Sequence, residues 1–167
     1  FNLIKKSMSQ YEGISKSRFM ICLSGDTNEG IKYDKYSFLE TIEPLNSVLQ
    51  EYVNLILPSI YNKYFQENSQ FRFQINLVFD TKNYQIGPHT DSYNRKLTNI
   101  VYLVNNNDIG KNLGVSLYKD LINRHKNKWE KTHYSFDNFE KISNVEYYSG
   151  SSIDFQVSNN SFHGVDN

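Results

Sequence analysis

The spacing of apolar residues changes once along this chain, and the change divides it. From Glu43-Pro44 onward, Leu45, Val48, Leu49, Tyr52, Val53, Ile56, Ile60, Tyr61, Tyr64 and Phe65 recur every three or four positions. That is the period of one helical face. It predicts one long amphipathic helix or a pair, kinked or broken at Pro58. Ser37-Phe38-Leu39-Glu40 reads as a capping-box start, with the acid three residues after the serine. On pattern alone this is a helix that covers a sheet.

From Phe71 the period shortens to two. Phe71-Arg72-Phe73-Gln74-Ile75-Asn76-Leu77-Val78-Phe79 alternates in part and predicts a strand. Further strands are expected at 84–91, 97–104, 113–118, 144–149 and 152–157. Asn105-Asn106-Asn107-Asp108-Ile109-Gly110 and Ser149-Gly150-Ser151 read as loops. The stretch 119–142 is charged and polar, with Trp129, Tyr134, Phe136 and Phe139 interspersed, and is expected as a partly helical insertion. Helices first and strands later argue α+β or a helix-backed β-sandwich, mainly β, over an alternating α/β fold. A length of 167 residues fits one domain with a sizeable core. Its expected layout is an N-terminal strand and supporting helices over 1–70, then a β core over 71–167.

Charge excludes some partners. Eighteen basic residues balance eighteen acidic ones, so neither a broad nucleic-acid footprint nor a polybasic membrane anchor is expected. No segment approaches the apolar length of a membrane span, and the start lacks a signal-peptide pattern. The lone Cys22 excludes an internal disulfide framework and reads as a buried, inert thiol. A reducing compartment, hence the cytoplasm, is expected. Thirteen Tyr and eleven Phe suit strands and half-buried surfaces. The chain starts at Phe1 and stops four residues after His163, so it reads as a piece of a longer protein.

The candidate chemistry lies in His89-Thr90-Asp91 and, 72 residues after Asp91, His163-Gly164-Val165. Side chains one residue apart on a strand point the same way. A second imidazole from a later strand then completes a two-histidine, one-carboxylate face. That face leaves part of an octahedral ion open, as in non-heme Fe(II) oxygenases. The triplet alone is weak, because four His and nine Asp give an HxD in roughly one such chain in five by chance. The plainer alternative is a solvated turn after Gly87-Pro88 and a loop histidine beside Asn159-Asn160.

Several blocks stand around the triplet in order: Tyr84-x-x-Gly87 ahead of it, Thr98-Asn99-Ile100-Val101-Tyr102-Leu103 after it, then Gly114-Val115-Ser116-Leu117-Tyr118 and Ser161-Phe162-His163-Gly164-Val165. Over 71–167 this order resembles the 2-oxoglutarate- and Fe(II)-dependent dioxygenases, in their prolyl-hydroxylase-like branch. The resemblance implies a double-stranded β-helix, or jelly roll, backed by the N-terminal helices. It implies that His89, Asp91 and His163 hold Fe(II), that 2-oxoglutarate and O₂ are co-substrates, and that a substrate C–H is hydroxylated as succinate and CO₂ form. It implies that Tyr102 hydrogen-bonds the distal carboxylate of 2-oxoglutarate. The same resemblance calls for an Arg or Lys past the distal histidine. That residue is expected beyond Asn167, with Arg72 and Arg95 as internal candidates.

Other residues carry a functional reading beside a plain one. Asn76, on the strand ahead of the site, is a candidate partner for the co-substrate, against a satisfied polar residue. Tyr102 is set against a strand tyrosine packed in a core. Tyr93, Arg95 and Lys96 form an entrance loop that suits an anionic substrate, against a solvated loop. His125 and His133 are expected outside the donor set, with His133 at the mouth of the site if 119–142 folds over it. The substrate, a small molecule or a peptide, is not readable from these residues. Two other classes remain: a cupin-like binder or metal hydrolase, since the same donors suit Zn²⁺ with a water, and a jelly-roll module without metal, in which the three residues are scattered.

Overall fold

The computed structural model describes residues 18–26, 30–33, 43–65, 71–80, 84–104, 106–123 and 133–166, in places by backbone alone. The expected capping box at 37–40 and His125 lie outside them, as does the side chain of Cys22. Among the described residues the fold is mostly antiparallel β with a helical segment in the N-terminal half. None of the helices among the described residues is long and apolar enough to cross a membrane. The chain divides into two compact units, Phe1–Lys82 and Asn83–Asn167.

In the first unit, β1 (Arg18–Asp26) lies between β2 (Gly30–Tyr33) and β3 (Arg72–Asp80). The β1–β3 ladder runs from Arg18 opposite Asp80 to Asp26 opposite Arg72. β3, which its alternation places at the start of the β core, therefore pairs with the N-terminal strand. The helical segment comprises α1 (Glu43–Glu51), a π-helical turn (Tyr52–Ile56) and α2 (Leu57–Tyr64). The expected kink at Pro58 takes the form of that wide turn. Proline has no N–H to give the carbonyl four residues back, and its ring crowds that carbonyl. The turn is widened just ahead of it, with the Leu57 N–H bonded to the Tyr52 carbonyl, five residues back. Leu49 and Val53 are buried, whereas Val48 and Ile56, on the same predicted stripe, are exposed. Tyr61 stacks on Phe71 at 4.1 Å, which ties α2 to the segment entering β3.

The second unit contains a four-stranded sheet and a two-stranded one. The order is β4–β9–β6–β7 in the first and β5–β8 in the second. Their bounds are β4 Ile86–His89, β5 Leu97–Val101, β6 Ser116–Asp120, β7 Phe139–Asn144, β8 Ser152–Gln156 and β9 Phe162–Val165. Residues directly opposite in an antiparallel ladder share a face. Leu117 opposite His163 marks one face of the larger sheet, and Tyr118 opposite Phe162 marks the other.

On the first face Tyr84, Val115 and Val165 form a buried cluster, joined by Ile86 and by Ile100 from β5. The smaller sheet therefore packs on this face. On the second face Tyr118, Phe139 and Phe162 cluster with Tyr134 and Phe136. A polar knot also lies there: the fully buried Ser116 bonds Asp166, and Lys141 contacts both Asp166 oxygens at 3.0 Å. Burial works against charge on Asp166, but the Lys141 and Ser116 bonds hold its carboxyl below the ordinary value.

Two irregularities shape the sheet. Ile86 pairs with Val165 and His89 with His163, so β4 spends one residue more than its partner between the two pairs. In a regular strand Ile86 and His89 would face opposite ways; the extra residue turns both inward. Pro88, buried within β4, is tolerated because that strand is at the sheet edge. The second bulge is Ile142 in β7. Leu117 pairs with Ser143 and Tyr118 with Lys141, which leaves Ile142 unpaired and 64% exposed.

Of the expected insertion at 119–142, residues 124–132 lie outside the described ones. Its described residues extend β6 to Asp120, form a short 3₁₀ turn (Phe136–Asn138) and begin β7 at Phe139, with no α-helix among them. The strand expected at 144–149 ends at Asn144. Beyond it Val145 still donates to the Val115 carbonyl at 2.9 Å, outside a regular ladder.

Candidate metal centre

His89 and His163 sit directly opposite each other on β4 and β9, with ring centroids 4.4 Å apart. The strand expected to continue through Asp91 stops at His89, so the carboxylate comes from the segment just past the strand end. It still reaches the pair: Asp91 Oδ2 lies 3.9 Å from His163 Nε2. One donor atom from each of His89, Asp91 and His163 falls within 4.8 Å of the others. The three residues chosen from sequence are therefore together, and the scattered arrangement expected of a metal-free module is not seen.

The two imidazoles are oriented by the same device. His89 Nδ1 lies 2.9 Å from the Gly87 carbonyl, and His163 Nδ1 lies 3.1 Å from the Ser161 carbonyl, two residues back in each case. A carbonyl only accepts, so each Nδ1 carries the proton and donates it. In the neutral ring this leaves the Nε2 lone pair for a ligand, the arrangement found behind metal-bound histidines. Burial, and then the neighbouring His163, pull His89 from 6.5 down to about 4, while the Gly87 carbonyl and Asp91 pull the other way. His89 is thus a neutral imidazole at neutral pH, its proton on Nδ1.

Asp91 is held from both sides. Thr98 Oγ1 donates to Oδ2 at 2.5 Å, and Arg95 Nη1 contacts Oδ1 at 3.2 Å. Thr98 stands opposite Phe155 in the β5–β8 ladder, and the Phe155 ring packs on His163 at 4.9 Å. One cross-strand pair therefore backs two of the three donors. Thr98 and Phe155 carry no metal-ligand signal of their own; a β-branched hydroxyl and an aromatic at paired positions are ordinary strand residues.

The other candidates distribute as follows. Tyr102 follows β5, and its hydroxyl accepts the Val115 N–H at 2.7 Å while its ring meets Tyr147 edge-on. Asn76 lies on β3 of the first unit, opposite Cys22, with a buried Oδ1 that has no partner among the described residues. Arg95 is committed to Asp91, and Arg72 is an exposed residue of β3. Tyr93 is 75% exposed, in a turn closed by the Arg95 N–H on the Ser92 carbonyl at 2.9 Å.

His133 is outside the donor set, and its ring stacks on His89 at 4.6 Å. That contact depends on Gly87. The Tyr134 N–H donates to the Pro88 carbonyl at 3.0 Å, and a Cβ at position 87 would collide with the Tyr134 carbonyl oxygen. Glycine there lets the 133–135 segment lie against the edge strand. Comparison with family models, curated proteins and solved structures finds no match to this chain.

Proposed function

We propose that this chain is a 2-oxoglutarate- and Fe(II)-dependent dioxygenase that hydroxylates a substrate C–H bond, with the two facing sheets of the second unit as the core of a double-stranded β-helix. The observation that supports it is the donor set: two imidazoles and one carboxylate within 4.8 Å, with no thiolate among them. Such nitrogen and oxygen donors fit Fe(II) and leave positions for co-substrate and O₂. Bound iron and 2-oxoglutarate would supply oxidative decarboxylation to succinate and CO₂ coupled to hydroxylation.

The chain's own share is geometric. His89, Asp91 and His163 hold the ion, and the Gly87 and Ser161 carbonyls fix the rings. Phe155 shields one side of His163 from water. Tyr102, its oxygen pinned by the Val115 amide, offers a fixed phenol for the distal carboxylate of 2-oxoglutarate.

The test is anaerobic addition of Fe(II) and then 2-oxoglutarate to the full-length protein. A weak visible charge-transfer band and O₂-dependent succinate are expected. Asp91→Ala loses both while its circular dichroism stays unchanged. Absence of band and succinate rejects the reading. Tight Zn²⁺ binding without succinate would favour a redox-silent jelly-roll binder or a hydrolase instead.

A further inference from the structure

Both oxygens of Asp91 are engaged before any ion is considered. Oδ1 accepts from Arg95 and Oδ2 from Thr98, and Oδ2 is the oxygen 3.9 Å from His163 Nε2. The carboxylate has only 13% of its side chain exposed, whereas Arg95 is 44% exposed. Taking the metal-centre reading as its basis, we infer that Arg95 and Thr98 are positioning residues that make Asp91 a one-oxygen ligand.

A free carboxylate can chelate a cation through both oxygens. Here chelation would use one of the positions that two histidines and one carboxylate leave open. The Arg95 guanidinium on Oδ1 blocks it. Thr98 occupies one acceptor site of Oδ2 and fixes the carboxylate's rotation, and the remaining site stays available toward the imidazoles. The two bonds act in different ways. The Thr98 bond is partly buried and sets orientation, whereas the Arg95 pair is solvent-screened and acts by occupying an oxygen.

Mn(II) alone is the probe, in the whole protein. Free ion is read by electron paramagnetic resonance, and water on the bound ion by proton relaxation. Wild-type protein is expected to keep about three waters on Mn(II), and Arg95→Ala about two, as the released oxygen closes onto the ion. Thr98→Val is expected to bind Mn(II) roughly tenfold more weakly, and Thr98→Ser, which restores the hydroxyl, within about twofold of wild type. Arg95→Met, which keeps much of the side-chain length but has no N–H to donate, is expected to give the same water count as Arg95→Ala and serves if that variant does not fold.

An unchanged water count in both Arg95 variants overturns the inference, as does equal loss in Thr98→Val and Thr98→Ser. If wild-type protein takes up no Mn(II), the centre itself falls and this inference with it. If the Mn(II) results hold and iron-loaded protein makes no succinate, only the oxygenase reading falls.

Discussion

At the scale of single residues, the chemistry of the centre is set by neighbours that deny or supply protons. His89 titrates near 4 in the folded protein and near 6.5 unfolded, chiefly because burial penalises its cation. Between those values the unfolded chain binds the proton and the folded one does not. The part of the metal-free protein's stability that depends on His89 is therefore full above pH 6.5, falls as pH drops toward 4, and levels off below. The His89 contribution to that loss is at most about 3 kcal/mol. Urea unfolding at pH 7, 5.5 and 4 measures it, with His89→Gln expected to show a flatter profile. An identical profile in the variant would remove His89 as the cause. That His89, Asp91 and His163 lie together was legible from the HxD, a weak signal alone, joined to a distant His in an ordered set of blocks. Their supports were not. That Arg95 and Thr98 grip Asp91 depends on the path of the turn from Ser92 to Lys96, and no residue pattern states that path.

At the scale of elements, close approach of backbones decides more than side-chain chemistry does. Gly87→Ala is expected to destabilise the protein by about 1–3 kcal/mol, because the new methyl meets the Tyr134 carbonyl and one of two backbone segments must move. Urea denaturation measures the loss. An unchanged midpoint would mean that the 133–135 segment yields freely. The helix over 43–65 was readable because three-and-four spacing is a local signal, and Pro58 marked its irregularity to within a turn. β7 was displaced because Val145 and Tyr147 look more strand-like than Glu140-Lys141. The ladder to β6 nevertheless runs from Phe139 to Asn144, and the bulge discards Ile142. The partner of β3 was equally hidden, since alternation identifies a strand and says nothing of its neighbour.

At the scale of the whole molecule, all three donors belong to the second unit and arrive from segments 72 residues apart in the chain. An ion that binds only the folded state stabilises it by about 2.7 kcal/mol at a hundredfold excess over its dissociation constant. Hydrogen exchange with and without Mn(II) should show added protection at β4 and β9 and none in β1–β3. Protection spread evenly over both units would contradict a centre confined to one of them. The division itself was not readable, because length and composition suit one domain as well as two units.

The extra residue in β4 has a consequence for how this protein tolerates change. Between Ile86 and His89 the strand carries one residue more than its partner needs. Remove one position and the edge falls into step with its neighbour, and the imidazole keeps the inner side, because residues two apart on a regular strand share a face. Exchanging Gly87 costs stability, whereas a one-codon deletion would straighten the edge and leave the two imidazoles on the same side.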